Sequence, residues 1–232
     1  MCLRSFVVAF LLLTFPTGLS AQDEARNEFW PELNVFYRLD ASYRLFFFVA
    51  PAFSDNNFTE GQVGAHIEMG LFPILRTSWK ETYDVDRFRF VRFRAGIQRA
   101  TNQPLSENPS KEWRGVAELT PRWSLPFDIL SAFRNRLELR WLDDDYSTRY
   151  RGRLTLERDT EIFWEYTIVP YASVEMFYDW RFDVWNRVRY QLGFTFPIIR
   201  LLALETYYLH QNDWRSQPAR LNAFGLVGIL YF

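Results

Sequence analysis

Between residues 134 and 157 polar and apolar side chains alternate almost one for one. Arg134, Arg136, Glu138 and Arg140 are interleaved with Asn135, Leu137, Leu139 and Trp141. Beyond the Asp-rich stretch 142–147, Arg149, Arg151, Arg153, Thr155 and Glu157 alternate with Tyr150, Gly152, Leu154 and Leu156. A period of two predicts strands, and two such strands about a polar loop predict a β-hairpin. The apolar rows carry bulky aromatic and Leu side chains.

The same alternation recurs along most of the chain. In 30–39, Glu32, Asn34 and Arg38 oppose Leu33, Val35, Tyr37 and Leu39, and the triplet 40–42 turns the chain into an apolar strand at 43–53. A loop is expected at 54–61. In 62–72, His66 and Glu68 share a row opposite Ile67 and Met69. Across 87–99 the phase of the arginines changes, Arg87 and Arg89 falling opposite to Arg92 and Arg94, which predicts a β-bulge near Phe90. Further strands follow at 113–123, where Arg114, Glu118 and Arg122 share a face, then at 164–178, 186–196 and 200–211. Residues 220–232 close the chain with a weakly patterned apolar segment.

Each segment is about ten residues, the length with which a tilted strand crosses hydrocarbon. Eleven segments are counted without 78–85, an ambiguous stretch within the connection 73–86. Antiparallel closure with both termini at the periplasmic end requires an even number, so the pattern predicts an all-β, transmembrane, antiparallel up-and-down barrel of about 12 strands, with about 10 as the fallback. The longer connections at 101–111, 142–147, 179–185 and 212–219 then share the outer end. Trp113, Trp123, Trp141 and Trp164 fall at strand ends, where interfacial aromatic girdles belong.

The start of the chain bears on compartment. Residues 1–21 read as a secretory signal: Arg4 supplies the basic region, 6–15 the apolar run, and GLSA at 18–21 a small-residue cleavage site before Gln22. The apolar run is too short for a spanning helix, which needs about 20 residues. The expected organisation is therefore 1–21 signal and 22–232 barrel, in the cell outer membrane of a Gram-negative bacterium. Cys2, the only cysteine, lies in the signal, so the barrel has no thiol for disulfide, metal or nucleophilic chemistry.

Charge is nearly balanced, 27 Lys+Arg against 28 Asp+Glu, which argues against a nucleic-acid partner. Lys occurs only at Lys80 and Lys111, so the cations are almost all Arg, whose planar fork suits paired and partly desolvated sites. No zinc, phosphate-loop or calcium motif is present and no cofactor is expected.

Two features carry a resemblance. The chain end FGLVGILYF (224–232) resembles the terminal strand of bacterial outer-membrane proteins, which implies that Phe232 is read by the barrel-assembly machinery. The succession RNRLELRW, YSTRYRGRLTLE, RVRYQLGFTF and LETYYLHQND resembles an uncharacterised family of outer-membrane barrels, domain of unknown function 2490, over most of the chain. The resemblance implies a barrel in contact with outer-membrane lipid and lipopolysaccharide, and it carries no activity with it.

In such a barrel the charged rows face the lumen, because an Arg on the lipid face costs about 2–4 kcal/mol at mid-membrane. The expected lumen set is Arg92, Arg94, Arg134, Arg136, Glu138, Arg140, Arg149, Arg151, Arg153, Glu157, Glu165, Glu175, Arg187, Arg189 and Glu205, with Glu68 and Glu118 beside them. Three readings of it stay open. Arg–Glu ladders could fill the barrel and hold its shape. Surplus Arg could favour a small anionic solute in a porin-like conduit. His210 with Asp213, near the loop carrying Asp143, Asp144 and Asp145, could activate water at the mouth, although such Asp-rich loops are ordinarily solvated or bind divalent ions bridging lipopolysaccharide. The first reading is favoured, with no enzyme expected.

Overall fold

The computed structural model describes residues 25–73, 89–102, 111–142, 145–162, 166–215 and 219–232. The signal segment 1–21 and the stretch 78–85 lie outside them. The strands are β1 (Arg26–Arg38), β2 (Tyr43–Ser54), β3 (Asn57–Pro73), β4 (Arg89–Asn102), β5 (Lys111–Leu125), β6 (Ile129–Leu142), β7 (Asp145–Arg158), β8 (Thr160–Ile162), β9 (Tyr166–Asp179), β10 (Val184–Ile199), β11 (Leu202–Asp213) and β12 (Arg220–Tyr231).

Eleven of these close into a barrel wall. Each pairs antiparallel with the next wall strand, from β1–β2 round to β11–β12. The remaining strand, β8, extends β7: it pairs Thr160 with Ile168 in the register that sets Glu157 opposite Tyr171. The eleven segments readable as alternating correspond to the eleven wall strands. The even count and the same-end placement of the first and last strands do not hold. With eleven strands in alternating directions β1 and β12 run the same way, and they pair in parallel from Arg26↔Leu221 to Phe36↔Tyr231. Two further bonds extend this seam, Arg38 N–H to the Phe232 carbonyl and Phe232 N–H to the Phe36 carbonyl, both 2.8 Å. The start of β1 and the end of β12 therefore lie at opposite ends of the barrel. Parallel pairing satisfies both edges, which is what closure requires.

Local chemistry sets the turns. Asp40 accepts backbone N–H groups from Ser42 at 2.7 Å and Tyr43 at 2.8 Å, which holds its carboxyl below the usual range and closes the β1–β2 turn. Asp55 and Asn56 adopt positive φ (50° and 63°), forming a two-residue hairpin turn. The expected loop 54–61 is thus a tight turn, with 57–61 already in β3 and Asn57, Phe58, Glu60 and Gly61 paired to β2 across a register shift. The expected bulge near Phe90 is absent, since β3 and β4 pair without a shift from Glu60↔Asn102 to Pro73↔Arg89. Arg89 sits at the strand end, where its guanidinium bonds the Ala41 carbonyl of the β1–β2 turn. A shift occurs instead in β10 between Trp185 and Arg187.

The connections β4–β5, β6–β7, β9–β10 and β11–β12 share one end of the barrel, as the alternation requires. Outward rows are apolar and exposed, among them Leu33, Val49, Ile67, Ile97, Leu137, Leu154 and Leu192. Trp113, Trp141, Tyr146 and Trp185 lie on that face near one end, and Trp123 near the other. Trp164 lies outside the described residues. The core is inside the barrel.

Candidate functional site: the charged interior and its cleft

Side chains from strands that are not neighbours meet only on the concave face of a closed sheet. Arg134 on β6 bonds Glu175 on β9 at 2.6 Å, and Arg136 on β6 bonds Gln98 on β4 at 2.6 Å. The charged rows therefore point inward. Among the expected set, Arg92, Arg94, Arg134, Arg136, Glu138, Arg140, Arg149, Arg151, Arg153, Glu175, Arg187, Arg189 and Glu205 share that face. Glu157 sits on the same row as Tyr171, near the β8 end. Glu165 lies outside the described residues.

The ladder places opposite charges side by side. One row runs Arg44, Glu68, Arg94, Glu118, Arg136, Arg151 across six strands. Within it Glu68 is 1% exposed and accepts from Arg44 Nε at 2.6 Å and Arg94 Nε at 2.8 Å, with Arg92 Nε at 3.5 Å. Glu118 accepts from Arg136 at 3.0 Å. Glu138 is 0% exposed, with Arg136 Nε at 2.7 Å, Arg149 Nε at 2.8 Å and Arg151 Nη1 at 3.0 Å. Glu175, 1% exposed, accepts from Arg134 at 2.6 Å, from Arg151 twice at 3.0 Å and from Arg153 at 2.8 Å. Nearer the loop-rich end Glu112 holds Arg114 and Arg140, Arg140 reaches Asp179 at 3.3 Å, and Arg187 bonds Asp213 at 2.8 Å.

The neighbouring row is less balanced. Arg92 lies opposite Thr120, and Arg134, Arg153, Glu175 and Arg189 follow one another in register on β6, β7, β9 and β10. Arg134 and Arg153 are direct cross-strand partners of like charge, an arrangement that is unfavourable unless an anion sits between them. Glu175 takes one edge of each, and the Nε atom of each is buried with no hydrogen-bond partner among the described residues. Arg189 bonds Gln211 at 2.6 Å and lies 4.9 Å from the Phe177 ring and 5.3 Å from the Trp30 ring, with no carboxylate partner among the described residues.

The opposite sector of the interior is apolar, which the sequence pattern did not disclose. Ala203, Tyr207, Leu209, Leu221, Ala223, Val227 and Ile229 cluster on β11 and β12, with Trp30, Phe36, Tyr171 and Tyr231 against them. Phe46 and Phe48 continue this wall on β2 and stack on His66, whose Nε2 lies 3.2 Å from Gln98 Nε2. Between the two sectors lies a cavity of about 390 Å³ that follows β2 from Arg44 to Ala52. Its charged side includes Arg92, Arg134, Arg153 and Arg189, and its apolar side Phe36, Phe46, Leu209, Val227 and Ile229. Glu205 also faces it and accepts the Tyr171 hydroxyl. The missed signal was in β12: alternation is weak there because both faces are apolar.

His210 and Asp213 are not brought together. They are three residues apart on one strand and so face opposite sides. His210 Nδ1 lies 2.8 Å from Asn222 Oδ1, and Asp213 is engaged by Arg187. Asp143 and Asp144 lie outside the described residues. No group of three or more His, Cys, Asp or Glu side chains able to hold a metal is found among the described residues.

Comparison with known proteins adds a family. The beta domain of the Bordetella autotransporter Brka is similar at 12% identity, a TM-score of 0.42 and coverage of 81% of this chain and 82% of that one. No curated protein matches the sequence. A family model described as protein of unknown function (DUF2490) matches residues 27–222, and over that span the chain belongs to this family.

Proposed function

We infer that the chain is an outer-membrane β-barrel whose interior acts as an electrostatic scaffold rather than as an open pore. Three observations support the membrane reading: a closed wall of eleven strands, an apolar outer face of the kind hydrocarbon covers, and aromatic side chains toward its ends. The signal-like segment 1–21 directs it to the envelope on this reading. Its partners are then lipid and lipopolysaccharide around the wall, and the assembly machinery at the terminal strand ending in Phe232.

The observation that carries the scaffold reading is the burial of Glu68, Glu138 and Glu175, each within reach of three arginines, all but Arg136 on neighbouring or next-neighbouring strands. Charge-assisted bonds of this kind fix the relative positions of the strands they span. They also occupy the space through which a wide hydrated path would run. A second reading, a narrow anion-favouring conduit, is favoured by the surplus of guanidinium groups along the cleft. Single-channel recording of the refolded barrel in a planar bilayer separates them. The scaffold reading expects a membrane that stays silent while the barrel is folded by circular dichroism and heat-modifiable migration. Stable anion-selective steps would overturn it in favour of the conduit.

A further inference from the structure

We propose that the interior cleft binds a single-chain anionic amphiphile, with its carboxylate or phosphate on the guanidinium groups of Arg134 and Arg153 and its chain along the apolar wall. Three observations converge on this chemistry. Two like-charged guanidiniums face each other across β6 and β7, and Glu175 bonds one edge of each, while Glu32 and Glu205 also line the cavity. Both side chains line the cavity and keep part of their surface open, 19% for Arg134 and 24% for Arg153, so an oxyanion in the cavity can reach their guanidinium groups. Among the described residues Arg92 has one carboxylate within ion-pair reach, at 3.5 Å, and Arg189 has none, and both add to the same cationic row.

The second half of the site is the wall opposite. Phe36, Phe46, Leu209, Val227 and Ile229 line the same cavity as the arginines. An apolar surface facing a polar cavity is unfavourable in water, and an alkyl chain laid along it removes that contact. The cavity, about 390 Å³, lies within the range of small-molecule sites, roughly 300–1,000 Å³. Its extent along β2, eight residue steps of about 3.3 Å each, suits an elongated ligand better than a compact one. The arginine side explains selection for an anion, and the opposite wall explains selection for a chain.

Equilibrium binding to the refolded barrel in nanodiscs, with empty nanodiscs subtracted, tests this with four probes: laurate, dodecyl phosphate, acetate and dodecanol. The expected result is saturable binding of laurate, dodecyl phosphate or both, at least tenfold tighter than acetate or dodecanol. Which of the two binds distinguishes a carboxylate from a phosphate source. Arg134→Gln and Arg153→Gln should each weaken binding by at least tenfold. Should either variant fail to migrate as a folded barrel, Ile229→Gln on the apolar wall should weaken the long-chain anion and leave acetate unchanged. No saturable binding, equal binding of dodecanol, equal binding of acetate, or indifference to all three substitutions would overturn the proposal. None of these outcomes depends on whether the barrel conducts, so the scaffold reading stands or falls separately.

Discussion

Glu175 ties three arginines together: Arg134, Arg151 and Arg153 all converge on a carboxylate that water barely reaches. A buried ion pair adds little compared with a packed apolar core, but removing one partner leaves the others desolvated and uncompensated. Glu175→Gln should therefore lower the urea-unfolding free energy by about 3–5 kcal/mol. Asp145→Asn, at an exposed position opening β7, should stay within about 0.5 kcal/mol of the parent. Equal effects from the two would mean that the interior charges are solvated rather than clamped. At this scale the sequence was informative: the phase of alternation placed Arg134, Arg151, Arg153 and Glu175 on one face. It could not say which Arg meets which Glu. That depends on register between strands, and Arg134 reaches Glu175 across an intervening strand.

Elements were legible where one face is polar and the other apolar. β6, β7 and β10 alternate in the sequence as they do in space, but the expected loop 142–147 is shorter than read, since the two strands pair as far as Leu142↔Asp145. β2 and β12 were harder, because Phe46, Phe48, Val227 and Ile229 turn an apolar row inward as well as outward. The turn at Asp55 and Asn56 was read as a longer loop, since Asn57, Thr59, Glu60 and Gly61 obscured the start of β3. Close approach between strands is tested by glycine. A Cβ on Gly96 would lie 2.2 Å from the Ala65 carbonyl oxygen and 2.6 Å from His66 Cα, backbone atoms of β3 that cannot rotate away. One on Gly115 would find its nearest neighbour at 3.6 Å, an ordinary contact. Gly96→Ala should thus destabilise the barrel by about 1–3 kcal/mol, read as a lower temperature for loss of the compact band, while Gly115→Ala should leave it unchanged. The reverse order would place the β3–β4 contact elsewhere.

For the whole molecule, closure decides everything else. Strand count could not be fixed by adding a twelfth segment for parity, because a parallel β1–β12 seam closes an odd number of strands without leaving an edge. Once closed, the wall has one face inside and one outside, and each row must take one of them. That partition, with arginines inside and aliphatic residues outside, is the claim on which both the scaffold and the ligand site rest. Nitroxide scanning of the β6–β7 hairpin in bilayers tests it most directly, using one Cys at a time from 133 to 156 in a chain with Cys2 replaced. The account predicts collision with oxygen at Leu137, Leu139, Leu154 and Leu156, and immobilised, oxygen-poor labels at Arg136, Glu138, Arg151 and Arg153. The opposite phase, or no period of two, would contradict it.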